Sequence, residues 1–588
     1  MTPPPAPPND SNATSRPEIA DASRPRILDT SPPEGTAARG EAKDSPPPET
    51  TETPEAVTTA DVIVLGGGPA GIATALDVAR RGLGVLVLER EERTGGMAGS
   101  FEIDGIRVDH GSHRLHPVTP AHVMARLTEL LGEDLQVRPR NGRLRLLNRW
   151  VDFPLRPAGL ARAMPPRWLA AVARDVALSP LRARGKLAPP TSDDQLCAPP
   201  SRSGLCARRA GSDTAKEAPS YAAALRVSLG PTVYDTLYAP YAEKLWGLPG
   251  EQIDAEQARV RVSADTVPKV ALRVLRAQAK RARTVIGRHR SSAQHRTETA
   301  ITGPTFLYPR HGFGQIVEAL DGAARTAGAD IRTGMQVTAI ETPDSDSLDD
   351  ETATPSLVTV RTADGAAWQA RHLFSTLPIP LLARLSDPAP PSQVVEDARA
   401  LRFRAMVLVY LTHRPHEELP RVRWSAYDAH YLPGAGTPIT RISEPANYRD
   451  SADDPGDRTV VCAEIPCDMG DAIWSSSDKA LRQVVTDAIA AFDLPPLECS
   501  AVHTRRLRAV YPIYEHGFSE RLARLEAWAD AVPGVTTLGR SGLFAHDNTH
   551  HAFVMAHEAA QCLRGDGSFD DAAWRRARGS FRKHVVQD

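Results

Sequence analysis

The amino-acid sequence predicts an α/β protein, in which a Rossmann-like nucleotide-binding domain carries a second, α+β domain inserted into it. An apolar run of mostly β-branched residues, Val62–Leu65, passes through a glycine-rich turn into an alanine-rich helix, and a second apolar run, Val85–Leu88, follows. Continuous apolar runs are typical of parallel strands that are buried on both faces. Strand-like segments return near residues 301–385 and 530–540, so the nucleotide-binding domain is predicted to be discontinuous.

The glycines of the turn have separate predicted roles. Gly66 allows a tight turn, Gly68 lets the backbone approach a diphosphate, and Gly71 lets helix and strand pack closely. Pro69 and Ala70 open the helix, where a missing backbone N–H is tolerated. The diphosphate is then expected on the free N–H groups and the positive dipole at the helix start.

An acid closes this motif. Glu89 ends the second apolar run, about 20 residues beyond the glycines, where a carboxylate can accept hydrogen bonds from a ribose 2′-OH. An acid also disfavours a 2′-phosphate, so FAD or NAD is favoured over NADP. A βαβ unit that binds nothing is the alternative, and the ordered succession of strand, turn, helix, strand and acid argues against it.

Composition narrows the class of protein. The chain has 588 residues, a net charge of -2 and 41% hydrophobic residues, which is enough for a large core and two domains. The numbers of basic and acidic residues are nearly equal, and this gives no argument for nucleic-acid binding. No run of 18 or more apolar residues is present, and the start of the chain lacks the features of a secretory signal. We therefore expect a soluble, cytoplasmic protein whose six cysteines are reduced thiols and not metal ligands.

The order of segments along the chain predicts the domain boundaries. Residues 1–57 are rich in proline and polar side chains and are predicted to be a disordered leader. The nucleotide-binding domain is assigned to residues 58–118, 301–385 and 530–567. The second domain is assigned to residues 119–300 and 386–529, with disordered insertions at about 186–219 and 287–300.

Further segments extend the motif in a characteristic order. Beyond Glu89 these are Arg90, Arg93, Gly95, Gly96, Asp109–Arg114, Arg149–Leu155, Tyr238–Gly247, Tyr308–Gly314, Ser375–Pro378, Tyr511–Tyr514 and Gly539–Ala552. Together they resemble the FAD-dependent amine oxidase, protoporphyrinogen oxidase and phytoene desaturase superfamily. Within it, the chain is most similar to the bacterial branch related to UDP-galactopyranose mutase.

The resemblance implies that the cofactor is FAD, bound in a Rossmann-like FAD-binding domain. Val337 is expected beside the adenine, and the helix from about Ala552 to Leu563 is expected to point its N-terminus at the flavin ring. Two positions depart from the branch: His546-Asp-Asn548 replaces Tyr-Asn-Asn, and Ala556 replaces a glycine. The expected cofactor-binding residues are Gly66, Gly68, Pro69, Ala70, Gly71, Glu89, Arg90, Gly95, Gly96, Met97, Val337, Gly539, Arg540 and Asn548.

The resemblance further implies an FAD-dependent oxidoreductase that transfers a hydride between flavin N5 and a C–N or C–C bond of a small organic substrate. The candidate catalytic residues are His113, Arg540 and His550. The alternative is a redox-neutral mutase on a nucleotide sugar, in which Arg540, Arg441 and Tyr511 would hold the diphosphate. A non-catalytic, FAD-stabilised partner protein is a third possibility.

Histidines concentrate in both loops that are expected near the flavin, at His110, His113 and His116 and at His546, His550 and His551. Proton transfer is favoured over metal binding for them, because a loop gives this spacing no fixed face. A basic segment, Lys269–Arg283, is interpreted as a solvated helix face, with peripheral contact to an anionic membrane or binding of a substrate phosphate as the alternatives.

Several local structures are also predicted. These are a helix over Ala121–Leu131, a strand over Ala329–Ile340, a hairpin turn at Asp364-Gly365, separate-sheet strands over Met406–Thr412 and Thr459–Ile465, and a helix from Ala552 to Leu563. Lys244 and Trp246 are expected on a helix, either facing the substrate pocket or as a solvated lysine beside a packed tryptophan.

Overall fold

A computed structural model describes residues 58–155, 157–183, 219–261, 304–343, 357–416 and 421–586. The predicted leader, the segment Lys269–Arg283, Cys197 and Cys206, and the predicted insertions except residue 219 lie outside these ranges.

The described chain contains runs of consecutive strands and runs of consecutive helices. The strands are β1 (Thr58–Leu65), β2 (Val85–Leu88), β3 (Ser100–Ile103), β4 (Ile106–Asp109), β5 (Leu135–Pro139), β6 (Gly142–Leu146), β7 (Arg149–Phe153), β8 (Thr305–Pro309), β9 (Asp330–Arg332), β10 (Val337–Glu341), β11 (Val358–Thr362), β12 (Ala367–Ser375), β13 (Ser386–Asp387), β14 (Phe403–His413), β15 (Ala429–Tyr431), β16 (Arg441–Ser443), β17 (Thr459–Cys467), β18 (Cys499–Pro512) and β19 (Val535–Thr537).

The helices are α1 (Pro69–Ala79), α2 (Ala121–Leu131), α3 (Pro157–Ala163), α4 (Pro166–Ala183), α5 (Tyr221–Ser228), α6 (Pro231–Val233), α7 (Ala239–Trp246), α8 (Glu256–Arg261), α9 (Gln315–Thr326), α10 (Ile379–Leu385), α11 (Ser392–Ala400), α12 (Asp478–Ala491), α13 (Phe518–Ala531), α14 (Gly539–Gly542), α15 (Thr549–Cys562) and α16 (Asp571–Phe581). A π-helical turn, Tyr234–Tyr238, joins α6 to α7.

The first sheet has the strand order β13-β10-β11-β12-β1-β2-β9, and β19 also pairs with β12. Strands β12, β1, β2, β9 and β19 run parallel, whereas β10, β11 and β12 form an antiparallel meander. Along β12, residues 367–370 pair with β11 and residues 373–375 pair with β19. The predicted α/β class with a Rossmann-like domain is confirmed.

The second sheet has the order β18-β14-β17-β16-β15-β6-β7. It is antiparallel except for the pair of β15 and β6. Its long central strands, β14 and β17, are buried along almost their whole length, which explains their continuous apolar sequence. Both strands belong to a sheet separate from the first, as the sequence predicted.

Apolar clusters cover both faces of the first sheet. On one face, helices α1, α9 and α15 contribute Ile72, Ile316 and Met555 to a single buried cluster. On the other face, Ile63 and Leu86 pack with Trp368 and Leu382. Helix α15 thus lies directly against α1, which begins at the glycine turn.

Two predicted elements differ from the structure. The strand predicted over Ala329–Ile340 is divided into β9 and β10, because Gly334 adopts a φ of +73° between them. The helix predicted from Ala552 begins three residues earlier, because Asn548 caps it. The predicted hairpin at Asp364-Gly365 is present between β11 and β12. Within the described ranges, no helix is both long and apolar enough to cross a membrane.

Candidate functional site

The glycine turn between β1 and α1 leaves no room for a side chain at Gly66 or Gly71. Gly66 has a φ of +99°, and a Cβ atom there would lie 2.3 Å from Thr376 Oγ1. A Cβ atom on Gly71 would lie 1.9 Å from the carbonyl oxygen of Gly66. The helix start is therefore pressed against the turn, and the first free N–H groups of α1 face outward from it.

A second glycine pair lies against this turn. Gly95 N–H donates to Gly67 O at 2.8 Å, and Gly95 and Gly96 have φ values of +129° and +53°. A Cβ atom on Gly96 would lie 3.1 Å from Gly68 Cα. Met97 follows in a short 3₁₀ turn and is half-buried. Two backbones meet here, so a bound group can approach main-chain atoms from either side.

Glu89 is held at the end of β2. Its carboxylate accepts hydrogen bonds from the N–H groups of Gly67 at 2.6 Å and Glu91 at 2.8 Å. Met335 N–H donates to Glu89 O at 2.8 Å, and this places Val337, at the start of β10, along the same edge. Arg90 differs, since its side chain is 59% exposed and pairs with Glu91.

The second predicted motif meets the first at the start of α1. Gly539 has a φ of +78°, and its Cβ position would lie 3.0 Å from Ala70 Cβ. Asn548 caps α15 in a capping box: its side chain accepts from the backbone of His551, and the His551 side chain accepts from the Asn548 N–H. The structure thus brings residues 66–71, 95–96, 539 and 548 around the N-termini of two packed helices.

Arg540 is a half-buried cation beside Tyr511. Its Nη1 donates to Asp547 O at 2.6 Å and its Nη2 to Val510 O at 2.9 Å, and its Cζ lies 5.4 Å from the centre of the Tyr511 ring. Among the described residues, Nε has no hydrogen-bond partner. Burial lowers the pKa of Arg540, so a bound anion would stabilise its charge.

His113 lies in a loop that is anchored to the second sheet. Its Nε2 lies 3.0 Å from His110 O, and its ring stacks on Phe313 at a centroid distance of 5.2 Å. Ser112 N–H donates to Glu464 Oε1 at 2.9 Å. Burial lowers the pKa of His113, although the nearby Asp109 carboxylate opposes this shift.

Two histidines of the second loop, His546 and His550, also have lowered pKa values. Burial lowers the pKa of His550 to about 3, with smaller contributions from the charges of His551 and His116. Burial also places the pKa of His546 well below its usual value. His550 and His116 are close enough for their charges to interact, so the two histidine loops approach each other.

Three contacts of the site were not predicted from the sequence, although Arg441 and Arg114 themselves lie in segments that the sequence analysis singled out. Arg441 binds Glu464 through two hydrogen bonds, from Nε at 2.9 Å and from Nη2 at 2.8 Å. Arg114 Nη2 lies 3.2 Å from Asp428. His584 reaches Asp547 from far along the chain. Each partner pair is widely separated in sequence, and no local motif indicates the contact.

Lys244 has a role that neither sequence interpretation proposed. Its ammonium group donates to three backbone carbonyl groups, those of Leu432, Gly434 and Ile439. Trp246 is buried in the core beside Tyr221. Lys244 therefore closes the loop between β15 and β16, the two strands that carry Tyr431 and Arg441.

We expect Lys244→Met to destabilise the protein by about 2–3 kcal/mol, because three backbone carbonyl groups of the loop between β15 and β16 lose their shared donor. Urea unfolding gives the free energy, and hydrogen exchange should show faster opening of residues 432–439. Lys479→Met, at an exposed position of helix α12, is the matched control. Equal unfolding free energies for the two variants would contradict this role of Lys244.

The comparison with protein families gives one match across most of the chain. The model of the family described as "Flavin containing amine oxidoreductase" matches residues 69–559. This range begins at the first residue of helix α1, just after Gly66 and Gly68, and includes both histidine loops and every described strand of the second sheet.

Individual curated relatives match over short segments. AofH of Mycobacterium tuberculosis, whose name describes a flavin-containing monoamine oxidase, is 40% identical over 72 residues, 12% of this chain and 16% of AofH. Pseudooxynicotine dehydrogenase of a Pseudomonas species is 40% identical over 60 residues, 10% of this chain and 12% of the relative. The chain thus spans less than a fifth of the length of these relatives.

A solved structure of reduced UDP-galactopyranose mutase has a TM-score of 0.64 at 16% identity, covering 90% of this chain and 100% of the mutase. A solved structure of a redesigned putrescine oxidase has a TM-score of 0.54 at 14% identity, and the match covers 86% of this chain and 99% of the oxidase. At this level of identity these similarities concern the fold alone.

Proposed function

The chain belongs to the family of flavin containing amine oxidoreductases, and from this membership we propose that it is an FAD-dependent oxidoreductase. In this proposal, a hydride passes between the flavin and a C–N or C–C bond of a small organic substrate. The observation that supports it most strongly is the meeting of the three glycine segments, at Gly66–Gly71, Gly95-Gly96 and Gly539, around the start of helix α1.

The residues present fit FAD. The glycine segments offer an uncluttered surface of backbone for the diphosphate, and a Cβ atom at Gly66, Gly71 or Gly96 would meet neighbouring atoms at 3.1 Å or less. Glu89 ends β2 where a ribose can reach its carboxylate. When bound, FAD supplies the N5 position that accepts or returns a hydride.

The side chains around this site bind, orient and exchange protons. Because Nε2 of His113 faces the carbonyl oxygen of His110, the neutral ring donates there and its Nδ1 is unprotonated. Nδ1 can then accept a proton from the substrate. Arg540, with no carboxylate of a described residue within 4.0 Å, can pair with an anionic group of the substrate or cofactor.

Purified protein should show the absorption bands of bound flavin, and these should bleach when a substrate is added without oxygen. We expect His113→Phe to retain the flavin bands, since phenylalanine can stack on Phe313, but to slow bleaching about 100-fold because the proton acceptor is lost. His503→Phe, at an exposed position of β18, is the control. Colourless protein that takes up no FAD would refute the proposed function, and unchanged bleaching by His113→Phe would refute the role of that histidine.

A redox-neutral mutase on a nucleotide sugar is the second candidate. It is favoured by the grouping of Arg540 and Arg441 near Tyr511, because guanidinium groups bind a diphosphate well. Turnover that requires pre-reduced flavin but consumes no electrons would select the mutase. Net oxidation or reduction of the substrate would select the oxidoreductase.

A further inference from the structure

A carboxylate and two imidazoles form a buried cluster beside the cap of helix α15. Asp547 Oδ1 lies 2.9 Å from His551 Nδ1 and 3.0 Å from His584 Nδ1. The second oxygen, Oδ2, is buried with no hydrogen-bond partner among the described residues. Both imidazoles therefore contact the same oxygen of Asp547, Oδ1.

His551 faces two groups that make opposite demands. Its Nδ1 lies 3.1 Å from the Asn548 N–H as well as 2.9 Å from Asp547 Oδ1. A neutral imidazole nitrogen either donates or accepts a hydrogen bond, and cannot do both. If Nδ1 carries a proton, it donates a hydrogen bond to Asp547, and the capping box of the helix is incomplete. If Nδ1 is unprotonated, it accepts from the Asn548 N–H and completes the capping box, and Asp547 then needs another donor.

His584 can be that donor. It lies just after α16, and the segment that holds it is fixed on the opposite side by two hydrogen bonds, from Val586 N–H to Val260 O at 2.9 Å and from Arg259 Nη2 to Arg582 O at 2.7 Å. The ring of His584 stacks on that of His551 at a centroid distance of 4.0 Å. Both the place and the orientation of His584 are thus set by its surroundings.

The same three side chains could be considered as metal ligands, since their ligand atoms lie within 4.8 Å of one another. The ring geometry argues against this. The two imidazole planes are 11° from parallel, so one ion cannot lie in both planes, where the nitrogen lone pairs point. The Asn548 N–H also already faces His551 Nδ1 at 3.1 Å.

We propose that His584 is a positioning residue for the cofactor site. By donating from Nδ1 to Asp547, it leaves Nδ1 of His551 unprotonated, and His551 then completes the cap of α15. The cap fixes Asn548 and the first turn of the helix, whose dipole is directed toward the predicted flavin site. This inference depends on FAD binding and not on the reaction, so it can fail while the proposed function holds.

Two substitutions distinguish the hydrogen-bond donor of His584 from the stacking of its ring. His584→Phe keeps a ring to stack on His551 but removes the donor, whereas His584→Asn removes the ring but keeps an N–H donor near the position of Nδ1. We expect the dissociation constant of FAD, measured by fluorescence quenching, to rise about five- to tenfold in His584→Phe, as for loss of a helix cap. His584→Asn should stay within about twofold of the wild type, and so should the control His416→Phe, whose side chain is 99% exposed.

The opposite order, with His584→Asn weakened and His584→Phe unchanged, would show that only ring packing matters and would overturn the proposal. Equal affinity in all variants would overturn it as well. If His584→Phe fails to fold, the nitrogen-15 chemical shift of His551 Nδ1 in the wild-type holoenzyme decides the question. An unprotonated Nδ1 supports the proposal, whereas an Nδ1–H tautomer, or a stoichiometric transition metal in purified protein, refutes it.

Discussion

Gly71→Ala should abolish tight FAD binding, which is the largest effect that we expect from a single methyl group in this protein. The added Cβ atom would lie 1.9 Å from the backbone oxygen of Gly66. Backbone cannot move aside as a flexible side chain can, so helix α1 must shift away from the turn. An overpacking cost of about 3 kcal/mol corresponds to a loss of affinity of about 100-fold, and the purified variant should be colourless.

Gly322→Ala is the matched control for this prediction. Gly322 lies within helix α9, and no heavy atom lies within 4 Å of its Cβ position. Alanine should stabilise that helix by about 0.5–1 kcal/mol without changing FAD binding. Titration of the apoprotein with FAD measures the affinity of both variants. If Gly71→Ala bound FAD as tightly as the wild type, the turn would not border the cofactor.

Arg441→Met should destabilise the protein by about 3–5 kcal/mol, because it leaves a buried carboxylate without its cation. The Glu464 side chain is 5% exposed and that of Arg441 is 18% exposed. Glu464 also accepts the N–H of Ser112 at 2.9 Å, so the loop that carries His113 should loosen as well. Chemical unfolding measures the stability, and proteolysis near residue 112 reports on the loop.

A second substitution tests the cause. Glu464→Gln added to Arg441→Met removes the unpaired charge and keeps an acceptor for Ser112, so the double variant should return to within about 1.5 kcal/mol of the wild type. The exposed pair Arg361 and Glu341 provides the control, where Arg361→Met should cost at most about 1 kcal/mol. A double variant as unstable as Arg441→Met would mean that the loss comes from packing and not from charge.

The features that could be predicted from the sequence are local. Some thirty residues contain strand β1, the glycine turn, α1 and Glu89 in succession. Each of these features is indicated in the sequence by the type of residue at its position, because only certain residue types suit that conformation or contact. The hairpin at Asp364-Gly365 was predicted for the same reason. Gly334, by contrast, divides a segment whose apolar alternation favoured one strand, because a positive φ at glycine ends a strand as readily as it forms a bulge.

The remaining site residues depend on tertiary contacts. In the sequence, Glu464 is a single charged residue within an apolar strand. Its role becomes clear only from its contacts with Arg441 and Ser112. Lys244 was expected to be solvated or to face the substrate, because a lysine in a sequence gives no sign of three carbonyl groups contributed by a distant loop. His584 lies outside every motif, and its contact with Asp547 depends on how the chain after α16 returns.

Strand β12 has a consequence for how the molecule is made. One edge of β12 pairs with β1. On the other edge, residues 373–375 pair with residues 535–537 of β19. More than 150 residues, including most of the second sheet, are synthesised between the two strands. A nascent chain must therefore leave the end of β12 open until Val535 has emerged from the ribosome, and such late closure of a long loop is expected to make the assembly of this sheet slow.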